Sequence, residues 1–117
     1  MTKITFYTKN GYFWGFKETG HTGFADNGDD ILCAALSAMT MLILNTIEVA
    51  YGCGTDYVID DTDAAITLKC KSALPEEEPD EKKRFAVEGL FRGYFLQIQD
   101  LTEEYYDFLE VEVINEN

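Results

Sequence analysis

The stretch from Ile31 to Leu44 is apolar nearly all the way round a helix, interrupted only by Ser37 and Thr40. A helix of that kind has no polar face to give to water and is expected to be buried on more than one side. In a chain of 117 residues this calls for a sheet on one side and a second helix or a partner subunit on another. The run predicts a helix from Asp30 to about Tyr51, stopped by Gly52 and Gly54. Its mostly apolar part falls short of the roughly 20 residues that a bilayer span requires.

The flanking segments supply the sheet. Residues 3–8 alternate as a strand, Asn10-Gly11 marks a type I′ hairpin turn, and Tyr12 to Glu18 reads as the return strand. Tyr57-Val58-Ile59 and Ala65 to Cys70 form a second hairpin around Asp60-Asp61-Thr62-Asp63. The acidic, proline-punctuated segment Pro75 to Asp80 leads into a second helix over roughly 80–99, with Phe85, Leu90, Phe91, Tyr94, Phe95 and Ile98 near helical spacing. Ala86, Gly89 and Gly93 add a stripe of small residues, and Tyr105 to Ile114 closes the chain as a strand. The expected fold is therefore α+β in the order ββαββαβ, a mixed or largely antiparallel sheet of about five strands with two helices. The length fits a single domain, 1–117.

Charge narrows the partners. With 22 acidic and 9 basic residues the net charge is −13, a field that repels phosphate backbones and anionic lipid. Nucleic acid and membrane are accordingly not expected as direct partners, and basic proteins or peptides are favoured; the acidity also suits a purely solubilising role. Three cysteines (Cys33, Cys53, Cys70) and no apolar leader after Met1 point to a reducing compartment, the cytoplasm. The intervals between His21, Cys33, Cys53 and Cys70 contain no C-x-x-C pair, so a metal site is not expected, nor is any cofactor.

The chemistry-bearing stretch is Gly20-His21-Thr22-Gly23 followed by Gly28-Asp29-Asp30-Ile31-Leu32-Cys33-Ala34-Ala35-Leu36-Ser37. The intervening segment from Gly20 to Gly28 reads as a mobile glycine-rich loop, long enough to act as a lid. If Asp30 caps the helix, Cys33 is the third residue inside it, where the positive end of the helix favours a thiolate. His21, the only histidine, could fold back as its base. Free backbone N–H groups in that first turn could receive an oxyanion. A cysteine among alanines in an apolar helix also suits plain packing, and a histidine in a loop also suits plain solvation.

Gly20-His21, the glycine-bearing spacer and Asp30-Ile31-Leu32-Cys33-Ala34-Ala35-Leu36-Ser37 resemble the signature of the ribosomal-processing cysteine protease family, Prp. The resemblance extends over essentially the whole chain, from its Lys-Ile-Thr start to its acidic final third. It implies a cysteine endopeptidase that removes a short N-terminal extension, with phenylalanines before the cut, from the precursor of a basic large-subunit ribosomal protein. It further implies Cys33 as nucleophile, His21 as general base and then acid, and a homodimer. Gly20 would permit the turn that presents His21, and Ser37 would make a small polar contact beneath the site. Asp30 would either orient His21 or cap the helix. Tyr12, Phe13, Trp14 and Phe24 could line a groove for the substrate phenylalanines, with core packing the simpler role. The alternative function is a non-catalytic, acidic, ribosome-associated binding protein, which would not need Cys33.

Overall fold

Asn10 and Gly11 carry φ of 52° and 84°, the backbone of a type I′ turn. They join β1 (Thr2–Lys9) to β2 (Tyr12–Thr19) as an antiparallel hairpin. The structure, a computed structural model, describes residues 1–20, 27–62 and 64–116, with the side chains of 27–30 excepted. Helix α1 (Asn27–Asn45) follows and runs on through a π-helical turn at Thr46–Ala50. A second antiparallel hairpin, β3 (Asp56–Asp60) and β4 (Ala65–Lys69), leads through a short 3-10 turn to α2 (Glu81–Glu104) and β5 (Leu109–Glu116). The five strands form one sheet in the order β3-β4-β2-β1-β5. β5 runs parallel to β1 and every other pairing is antiparallel. This is the α+β order and mixed sheet expected from the sequence.

The element ends moved for identifiable reasons. α1 begins three residues before Asp30, because acidic residues suit a first helical turn and one glycine there costs only about 1 kcal/mol. Asp30 is thus inside the helix and is not its cap. α2 begins where its capping residue dictates: Asp80 accepts hydrogen bonds from the N–H groups of Lys82 (2.9 Å) and Lys83 (3.4 Å). It runs five residues past the expected end, since no glycine or proline lies between Gln99 and Tyr105 to stop it, and β5 starts correspondingly later.

One face of the sheet carries the core. Ile4 and Phe6 of β1, Phe16 of β2 and Leu68 of β4 are fully buried there. They meet Val87, Phe91, Tyr94 and Ile98, the inward stripe of α2. Phe6 is the hub, with ring centroids 6.2 Å from Phe13, 5.9 Å from Phe16, 5.7 Å from Tyr94 and 5.2 Å from Phe95. Each such ring stabilises the fold by about 1.5–3 kcal/mol through burial, with edge-to-face contacts adding about 0.5–1.5 kcal/mol. Phe85, expected on that stripe, is 83% exposed.

α1 is less deeply embedded than its composition suggests. Leu32, Leu36, Thr40, Ile43, Leu44 and Ile47 form one buried stripe, while Ile31, Met41, Leu42 and Val49 are exposed. The helix is therefore covered on one side and not on several. The helical run Ile31–Ala50 is, by length and composition, long enough to cross a bilayer, because the π-helical turn extends the apolar run beyond Leu44. Its buried stripe packs instead in the core cluster built on the sheet.

Candidate active site

β2 ends by delivering the chain to Gly20, whose φ is +77°. A Cβ at that position would collide with the carbonyl oxygen of Met1 and lie 3.3 Å from its carbonyl carbon. Only glycine meets both demands, a left-handed backbone and close approach to a neighbouring main chain. The next residue in sequence is His21, which lies outside the described residues, as do the rest of 21–26, including Phe24. Gly28 and Asp29, expected in the glycine-rich loop, belong to α1.

Cys33 is half-buried and sits on α1 about 9 Å along the axis from Asn27 by the helical rise. The helix dipole fades within the first turn, and Cys33 lies beyond that turn. The N–H groups that a helix leaves without an intrahelical acceptor are its first four; that of Cys33 is beyond them. The oxyanion site expected in the same turn as Cys33 is therefore not built by the helix terminus. Ser37, one turn further on, is exposed.

The other two thiols differ from Cys33. Cys53 and Cys70 are both buried. The Cys53 thiol contacts the Tyr51 carbonyl at 3.7 Å, and the Cys70 thiol donates to the Gly54 carbonyl at 3.2 Å. Burial pushes the Cys70 thiol above its ordinary range, which disfavours a reactive thiolate.

The aromatic groove imagined for Tyr12, Phe13 and Trp14 is not at this end of the molecule. These residues open β2, and the strand's length puts them about 20–26 Å from Gly20. Phe13 packs in the core against Phe6 and Phe95. A bulge between Tyr7 and Thr8 leaves Trp14 opposite no residue of β1. Its ring instead takes the Lys69 ammonium, 4.7 Å from the ring centroid. A trough of about 230 Å³ does exist between α1 and α2, lined by Met39, Leu42, Ile43, Leu90 and the open flanks of Gly89 and Gly93.

One buried cluster escaped sequence reasoning. Glu18, two residues before Gly20, is 1% exposed. Its Oε1 accepts hydrogen bonds from the Thr40 hydroxyl at 3.0 Å and from the Tyr94 hydroxyl. The signal was the strand's alternation: Phe16 and Glu18 share a face, so a carboxylate falls on the core side. Burial pushes the Glu18 carboxyl up from the usual range, while the bonds from Tyr94 and Thr40 pull it down. Tyr94 is itself raised, first by burial and then by the Glu18 charge, so it remains a donor.

A carboxyl with a raised folded-state pKa holds its proton more tightly in the native than in the unfolded chain. Its contribution to stability is complete below the unfolded value of about 4.3 and is lost as pH rises through the folded value. Denaturant titrations of the native chain and of Glu18→Gln should therefore separate with pH. As pH rises above about 4.3 and through the raised folded value, the native chain should lose stability relative to the variant; parallel curves would show that Glu18 titrates normally.

The whole arrangement has close counterparts. A Streptococcus mutans crystal structure superposes with a TM-score of 0.80, at 28% identity and over 99% of each chain. The crystal structure of the essential ribosomal processing protease Prp from S. aureus, in complex with a substrate peptide, matches with a TM-score of 0.73, at 16% identity, over 99% of this chain and 100% of that one. Among curated proteins, the ribosomal processing cysteine protease Prp of Bacillus subtilis (strain 168) is 25% identical over 96 residues, 82% of this chain and 81% of its own length. The family model for cysteine protease Prp matches residues 1–110. A half-buried thiol on an α+β scaffold of this topology, joined to that match over nearly the full chain, places the protein in the Prp family of cysteine proteases.

Proposed function

We propose that the chain removes the short N-terminal extension of a basic large-subunit ribosomal protein, with Cys33 as nucleophile and His21 as its base. The observation that carries the choice of nucleophile is exposure: Cys33 is half-buried while Cys53 and Cys70 are buried. The substrate class rests on the B. subtilis relative, which is named for ribosomal processing. A further S. aureus Prp structure with a covalently linked product peptide, at a TM-score of 0.75 and 18% identity, shares the fold.

In this reading His21 takes the proton from the Cys33 thiol as Sγ attacks the scissile carbonyl, and returns it to the leaving amine. Water then hydrolyses the thioester. With Cys33 beyond the reach of the helix terminus, activation of the thiol falls to His21. Asp30 stands one turn before Cys33 inside α1, and its remaining role is to orient His21.

The working form is a homodimer in the cytoplasm. Leu42 (63% exposed) lines the α1–α2 trough, and Leu96 on α2 is also exposed (55%); a second copy would cover such apolar surface through a self-complementary contact. Sedimentation equilibrium at micromolar concentration should return twice the chain mass; a single-chain mass would refute the dimer.

The function itself is tested by incubating the protein with a peptide copying the ribosomal protein's extension and weighing the products. One cut after the phenylalanines is expected. An intact peptide would refute the substrate assignment.

A further inference from the structure

The Glu18 cluster joins three elements at one atom. The carboxylate stands on β2, Thr40 on α1 and Tyr94 on α2, and both hydroxyls donate to the same oxygen, Oε1. All three residues are 4% exposed or less. Burying a carboxyl among aromatic rings costs several kcal/mol unless it is well bonded, and Phe16, its neighbour on the same face of β2, shows how easily an apolar residue fills such a position. Placement indicates what the group is for. Glu18 lies three residues before His21 in sequence. Thr40 lies seven residues after Cys33, two turns along α1 and within about 20° of the same line on the helix. The carboxylate therefore ties the strand end that leads to His21 to the helical line that carries Cys33.

We infer that Glu18 is a positioning residue for proteolysis: by holding Thr40 and Tyr94 on one oxygen, it fixes the slide and rotation of α1 against the end of β2, and so the setting of Cys33 relative to His21. This rests on the Cys33–His21 reading given above. Apolar stripes tolerate small slips that hydrogen bonds do not. A misplacement of about 1 Å is enough to cost a reaction about 100-fold.

The test compares pairs that keep or remove the bond. Thr40→Val deletes the hydroxyl at nearly constant shape and Thr40→Ser keeps it; Glu18→Leu removes the acceptor and Glu18→Gln keeps one. Peptide cleavage is measured on folded protein, together with the pH midpoint of iodoacetamide alkylation read at Cys33 by mass spectrometry. Thr40→Val should lose roughly 10- to 100-fold in kcat with KM within about twofold. Its alkylation midpoint should shift upward as His21 ceases to support the thiolate, while Thr40→Ser restores both. Thr5→Val serves as control: it removes a comparable hydroxyl bond, to Glu112 at 2.9 Å on the opposite face of the sheet, and should leave kcat and midpoint unchanged.

A Thr40→Val protein that is folded and keeps the native kcat would overturn the inference. So would one that loses activity with an unmoved midpoint, because a merely structural bond behaves that way. If Glu18→Leu does not fold, the Thr40 pair decides alone. Failure of the underlying reading looks different: Cys33→Ala would still cleave, whatever Thr40 does.

Discussion

Cys33→Ala should fold as the parent chain does and lose cleavage of the extension peptide by at least about 10⁴-fold, the scale on which a covalent nucleophile is missed. Cys33 sits at the margin of the buried stripe of α1, and the change removes only one sulfur from a half-buried site. Stability should therefore move by less than about 1 kcal/mol. His21→Ala should lose activity on the same scale, because His21 is the group proposed to take the thiol's proton and return it to the leaving amine. Mass measurement of the peptide after long incubation reads both variants, with circular dichroism as the check on folding. Cleavage by folded Cys33→Ala would reject the assignment of the nucleophile and leave the non-catalytic binding protein as the better reading.

Among the described glycines, Gly20 is where an added methyl (Gly20→Ala) should be most disruptive. The left-handed backbone costs an L-residue about 1–2 kcal/mol, and the new methyl would meet the Met1 carbonyl. Relief would require shifting the start of β1, where Thr2 is buried and donates its N–H to the Phe108 carbonyl at 2.7 Å. A loss of about 3 kcal/mol is expected, equivalent to a melting temperature lowered by roughly 10 °C or more. Activity should fall further than the folded fraction does, because the displaced residue is the one before His21. Thermal melts beside cleavage rates separate the two effects; a variant that melts like the parent would show that the Met1 strand yields freely.

The strands were legible because β-alternation and turn chemistry are local. Asn10-Gly11 specified its turn through two positive φ values, and the hairpin around Asp60 to Asp63 read equally well from its flanking β-formers. What was misread depended on partners far away in sequence. Asp30 looked like a cap because glycines precede it, yet the helix tolerates Gly28 in its first turns. Phe85 has helical spacing but faces out, since the stripe that α2 buries is set by Val87, Phe91, Tyr94 and Ile98. Tyr12 to Trp14 are near Gly20 in sequence, and a full-length strand carries them to the far end. The motif pair His21 and Cys33 was visible from residue types alone. The buried carboxylate of Glu18 was not, because its meaning comes from Thr40 and Tyr94, which the fold brings in from two helices.

The parallel pairing of β1 with β5 has a consequence for how the molecule is made. The Thr5–Glu112 and Thr8–Asn115 bonds each close a loop of 107 residues, among the longest a chain this size can form. Contacts of that span are slow to find, and they wait until β5, 107 residues beyond its partner strand, has left the ribosome. Until β5 arrives, β1 presents an open row of backbone donors and acceptors along residues 2–9, a template for pairing with other chains. A product truncated before Leu109 would keep both helices and the residues proposed for catalysis, yet expose that edge. Such fragments should accumulate as aggregates and not as a weaker enzyme.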